Sequence, residues 1–197
     1  SEMCIREELR ISQRGGLTET YNFFWEQNES DSFFHSDINS AYPFVCLNGL
    51  FPVGAPQVIC DRFELEKVVV KNNHLYFGDT SLDCGIIYCQ IVAPANLYFP
   101  FLQYRTKDSN VFLALCKQCC EDDRLKCLHR VTRSKSFTSV WNICEINKAL
   151  ELGYTLISVF EIHYFSQTKS YLKPFIQTLN SFRMRYSCPE NVCPILY

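Results

Sequence analysis

Residues 32–50 read SFFHSDINSAYPFVCLNGL, and the order of chemistry within them decides the fold. Phe33, Phe34 and Ile38 belong to a short apolar segment that reads as a buried strand with the carboxylate of Asp37 near its end. Asn39 and Ser40 follow as a polar turn, and Ser40 before Pro43 and the apolar run 44–50 marks a helix start, although the residue before a proline resists helical angles. Strand, polar turn, helix start is a geometry that aims a carboxylate and backbone amides at one spot. There an Asp can hold Mg²⁺ while amides and a hydroxyl receive a triphosphate. On spacing alone, the turn-forming and helix-capping reading of these residues outweighs the metal-binding one.

Working outward, residues 65–70 alternate with charge as a half-buried strand, and 85–92 (GIIYCQIV) read as a more buried one. Residues 76–81 (YFGDTS) carry hairpin chemistry. Apolar positions at 146, 149, 150 and 152 have helical spacing, with Gly153 as the stop. The β-branched and aromatic run 154–165 is the clearest strand, and 171–185 form an amphipathic helix with Lys173, Arg183 and Arg185 on its polar side. Strand, helix, several strands, helix, strand, helix predicts the α+β class. Four segments are expected: 1–31 with a Gly15-Gly16 loop, 32–105, an insertion at 106–140, and a helix-strand-helix at 141–197.

Of 12 cysteines, eight are scattered and read as small hydrophobes. The others define Cys116-x2-Cys119-x7-Cys127-x-His129, with Cys120 as a spare. Two thiolates on a tight turn, with a Cys and a His arriving from a short loop, make four ligands suited to a closed tetrahedral Zn²⁺ site. Its role would be structural, since no ligand position is left open. His35, His74 and His163 read as structural histidines. The 197 residues, with 19 Lys and Arg against 21 Asp and Glu, lack the cationic excess of a sequence-blind nucleic-acid binder. No apolar run reaches the ~18 residues of a membrane span and no secretory h-region opens the chain, so an intracellular place, nucleus or cytoplasm, is expected.

The segment DINSAYP (37–43) resembles the DxxSLYP motif A of family B DNA polymerases, with Ala41 where the family has Leu. Residues 13–18 (QRGGLT) are similar to the YxGG segment of the protein-primed branch, with Gln13 in place of Tyr. GLFPVGAP (49–56), GIIYCQIVAP (85–94), LYFPFLQYR (97–105), Trp141 with EINKALELGY (145–154), VFEIHYF (159–165) and LKPFIQTLNSFRMR (172–185) follow the order of the Maverick or Polinton transposon-type palm. The resemblance implies a palm-like antiparallel sheet with flanking helices and a zinc-bearing insertion. It implies Asp37 as a metal ligand, Ser40 at the triphosphate and Tyr42 under the sugar, and nucleic-acid contact from Arg14, Gly15, Gly16, Lys173, Arg183 and Arg185.

Two-metal nucleotidyl transfer needs carboxylates on both sides of the metal pair. Motif B and the motif C hairpin would follow residue 185, and Asp79 in GDTS is an ordinary turn residue rather than their substitute. Read with Ser1-Glu2 as a cloning scar, Met3 as a start and Tyr197 as an end, the chain is expected to be a catalytically inactive, domesticated palm, not an enzyme. It would act as a protein-interaction scaffold in RNA-based silencing or genome defence, with Mg²⁺ only if motif A still works. Its partner would dock where the missing fingers and motif C leave surface, or on the insertion; nucleic-acid binding is left open. The alternative is a palm fragment of an active protein-primed DNA polymerase.

Overall fold

The computed structural model describes residues 10, 12–15, 24, 26, 32, 34, 36–38, 40–108, 110–122 and 127–186. In chain order the elements are α1 (Ala41–Asn48), β1 (Phe51–Pro52), β2 (Gln57–Ile59), α2 (Arg62–Leu65), β3 (Val68–Lys71), β4 (His74–Phe77), β5 (Thr80–Ser81) and β6 (Gly85–Val92). They continue with β7 (Gln103–Arg105), β8 (Val111–Leu113), α3 (Lys117–Glu121), α4 (Thr132–Lys135), β9 (Phe137–Asn142), α5 (Ile143–Glu151), β10 (Thr155–Tyr164), β11 (Thr168–Lys169) and α6 (Lys173–Tyr186). This is the α+β class expected from the sequence, built on antiparallel sheets with helices and a Cys/His insertion. The chain divides into two compact units, one of Ser1–Gly15 and Pro52–Gln167, the other of Gly16–Phe51 and Thr168–Tyr197.

The first unit is organised by a four-stranded antiparallel sheet in the order β2-β10-β6-β9. Strand periodicity sends alternate side chains to opposite faces. On β6, Ile87, Cys89 and Ile91 are fully buried while Tyr88 points out against the Phe160 ring. Ile87 lies opposite both Trp141 of β9 and Ile162 of β10, so three strands contribute to one apolar layer. Helix α5 covers that layer with Ile143, Ile146, Ala149 and Leu150, all buried. Each of the Ile and Leu side chains contributes about 1.5–3 kcal/mol on burial, and Ala149 less. The helix starts where the Asn142 N–H donates to the Glu145 carboxylate at 2.9 Å, half of a capping box. It ends at Gly153, whose φ of +90° lets the Tyr154 N–H reach the Ala149 carbonyl at 3.0 Å.

A three-stranded meander, β3-β4-β5, lies beside α5. Asn147 ties the two together: its Oδ1 accepts from the Leu75 N–H at 3.0 Å and its Nδ2 donates to the Leu82 carbonyl at 2.8 Å. Residues 76–81 are the expected hairpin, with Gly78 at φ +61° opening a two-residue loop between the Phe77–Thr80 pair. In the second unit, α1 and α6 pack together and the Phe51 ring meets Tyr171 at 5.7 Å.

Two sequence expectations are corrected. Residues 32, 34 and 36–38 are not strand, and Phe34 and Ile38 are 88% and 78% exposed. A strand persists only where a neighbour offers a ladder, and none of the described residues offers one to this segment. Over 65–70, charge alternation masked a helix-to-strand junction. Asp61 caps α2 by accepting from the Phe63 N–H at 2.9 Å, and the strand begins only at Val68.

Candidate functional site

The insertion begins after β7, which pairs with β8 in a short antiparallel hairpin, and continues through α3, the Cys127–His129 segment and α4. Cys116 stands at the start of α3 and Cys119 one turn later, so both sulfurs fall on one side of the helix. The chain then returns to bring Cys127 and His129 against them. His129 Nδ1 lies 3.5 Å from Cys116 Sγ, 3.4 Å from Cys119 Sγ and 3.9 Å from Cys127 Sγ. All four candidate ligand atoms are within 4.8 Å of one another. A tetrahedral ion with metal–sulfur bonds of about 2.3 Å and a metal–nitrogen bond of about 2.0–2.1 Å sets sulfur and nitrogen about 3.5–3.6 Å apart. The donor set and its spacing therefore fit a closed metal site. Ligation through Nδ1 leaves Nε2 free to donate outward.

Cys120, one residue along, turns the other way and packs against the hydrophobic core. Burial pushes its thiol up to about 11, and burial alone pushes Cys89, inside the sheet, up to about 12. Both are structural thiols. Within the cluster, burial and hydrogen bonding to Cys127 and Cys116 raise Cys119 to about 12 as a free thiol. Hydrogen bonding to the His129 backbone draws Cys127 down to about 7. A divalent ion displaces both protons on binding.

The motif A residues lie elsewhere, in the second unit. Asp37 is exposed and belongs to no His/Cys/Asp/Glu group able to hold a metal among the described residues. Ser40 precedes α1 with φ +57° and ψ +39°, a left-handed conformation costly for a residue other than glycine. Its Oγ accepts from Arg183 Nη1 of α6 at 3.3 Å. Tyr42 is exposed in the first turn of α1. Lys173, Arg183 and Arg185 are exposed along α6.

Arg14 is turned inward in the first unit. Its Nη2 donates to Ser139 Oγ at 3.0 Å and to the Val140 carbonyl at 2.8 Å, and the guanidinium lies 5.4 Å from the Trp141 ring centre. Burial lowers its pKa, with Glu145 acting in the opposite direction. The Gly15 carbonyl accepts from Gln103 Nε2 at 3.3 Å, and Gly16 lies outside the described residues. His74 Nε2 meets both Ser81 Oγ and Asp83 Oδ1, at 3.0 and 2.9 Å. A catalytic Ser-His-Asp arrangement needs the two partners on opposite ring nitrogens, so this set is a structural network. His163 is buried with Nε2 2.6 Å from Glu161 Oε1, and His35 lies outside the described residues.

Sequence reading missed Asn147, which looked like an ordinary polar residue in a helix, and the Arg183–Ser40 contact across 143 positions. A buried-face position in the α5 periodicity was the available signal for the first. No local signal exists for the second.

A family described as DNA polymerase type B, organellar and viral, matches residues 4–193. The chain belongs to that family. Comparisons with curated proteins and with solved structures gave no match.

Proposed function

We propose that this chain is a domesticated, catalytically inert relative of Maverick/Polinton-type protein-primed polymerases that serves as a protein-interaction scaffold. The observation that carries this reading is the condition of motif A. Asp37 is exposed, outside any strand and in no His/Cys/Asp/Glu group able to hold a metal among the described residues, whereas two-metal transfer requires carboxylates gathered around the ions. Exposed Phe44 and Val45 of α1 and Phe175 and Phe182 of α6 support docking of a protein. Zn²⁺ is the proposed occupant of the Cys116, Cys119, Cys127 and His129 cluster, where it fixes the insertion without entering any reaction. Mg²⁺ has a place only if Asp37 still ligates it. An intracellular setting in RNA-based silencing or genome defence follows by analogy with other transposon parts kept by their hosts.

The test is affinity purification of the tagged protein from its own cells beside Asp37→Ala. A stoichiometric protein partner retained by both forms is expected. Recovery of a longer polypeptide with polymerase motifs B and C, or of terminal protein with DNA, would instead establish a piece of an active polymerase.

A further inference from the structure

The open edge of β10 is the strongest feature that neither the metal cluster nor motif A explains. One edge of β10 pairs with β6 along residues 155–164. The other pairs with β2 only at Ile162, His163 and Tyr164, because the chain after Ile59 turns at Asp61 into α2. Residues 155–160 make no backbone hydrogen bond on that side with any described residue. Here the fold leaves a groove of about 570 Å³, bounded by β10, α2 and β3.

The lining shows what the groove is shaped to take. Five consecutive residues of β10, 156–160, border it. The run lies along the side of β10 that has no partner strand before Ile162, so that the unpaired edge borders the space. From β3 only Val68 and Val70 line it, two positions of one face, joined by Leu65 of α2. The groove thus offers an unpaired hydrogen-bonding edge on one wall and an apolar surface of strand periodicity on the other. Its charges, Arg62 and Glu66, are paired with each other at 3.7 Å. No net charge remains to attract a nucleic acid or a strongly acidic or basic ligand. Two register shifts in β10 insert Ile157 and Phe160 as extra residues and leave them 45% and 42% exposed. An open hydrogen-bonding edge facing strand-spaced apolar side chains suits one extended chain.

We propose that this groove is a strand-addition site, where an extended peptide of a partner protein, with apolar side chains at alternate positions, joins the β10 edge. Such a peptide completes the ladder over 155–160 and places one face of its side chains on Leu65, Val68 and Val70. This deepens the scaffold reading, resting on it only for the existence of a protein partner. It stands whether or not Asp37 is active.

The probe is a displayed library of random 12-residue peptides selected on the full chain. Chosen peptides are then synthesised in plain form and with N-methyl groups at alternate positions. Enriched sequences with alternating apolar residues are expected, protecting the amides of 155–160 from hydrogen exchange. N-methylation in one of the two alternating registers, and the Ile157→Glu variant, should each weaken binding at least about tenfold, the loss of a few main-chain hydrogen bonds or of the contact surface. Because N-methylation alters only the peptide, it decides the matter even if the protein variant misfolds. No enrichment over an unrelated protein, protection elsewhere, indifference to N-methylation in both registers, or peptide-free protection that grows with protein concentration would each overturn the proposal. A failure here leaves the Asp37→Ala comparison unaffected, so the two readings fail separately.

Discussion

Gly85 stands at φ +140° at the start of β6, where an added Cβ would overlap the His163 carbonyl oxygen and come within 2.7 Å of Tyr164 Cα. Gly85→Ala should therefore destabilise the first unit by about 3 kcal/mol or more, measured by denaturant unfolding, since both clashes are with backbone that has no other place to go. Asn147 is the other residue on which the packing of that unit turns. Asn147→Leu strands the Leu75 N–H and the Leu82 carbonyl away from water, and should cost about 1–3 kcal/mol for each group left unpaired. Unchanged unfolding in that variant would mean that the meander is held by apolar contact alone. The glycine was visible in sequence only as the boundary of a strand. Its reason, a neighbouring strand 78 positions away, is a property of register and not of local pattern.

Among elements, strands and helices with a strong period were legible. β6, β10, α5 and α6 fall where the sequence pattern placed them; β6, β10 and α5 each bury side chains against a neighbour, whereas α6 has no buried residue and follows its helical pattern alone. Residues 32, 34 and 36–38 depart from the expected strand for the converse reason: apolar content is not a ladder. The metal-ligand spacing was legible as well, since the two thiolates and the returning Cys and His are set by local chain geometry. At this scale, Cys116→Ser and Cys127→Ser should each abolish one zinc per chain and remove hydrogen-exchange protection from α3 and α4, while Cys120→Ala keeps the zinc. Atomic absorption on the purified variants separates these outcomes. Chelation of the wild-type protein should have the same local effect as the serine variants. A zinc-free protein with unchanged melting would show the cluster to be four reduced side chains and nothing more.

At the scale of the whole chain, family membership over residues 4–193 and the exposed state of Asp37 pull in different directions. The family supplies a polymerase ancestry. Asp37 belongs to no His/Cys/Asp/Glu group able to hold a metal among the described residues, and the proposed scaffold reading rests on that. No helix among the described residues is long and apolar enough to cross a membrane. On the proposed scaffold reading, the exposed apolar residues of α1 and α6 and the open edge of β10 would be surfaces for other proteins. The most direct measurement is nucleotide transfer by the protein isolated from its own cells, supplied with deoxynucleotides and with Mg²⁺ or Mn²⁺, beside an Asp37→Ala preparation. The scaffold account predicts no difference between the two. Incorporation by the wild type that Asp37→Ala removes would contradict it.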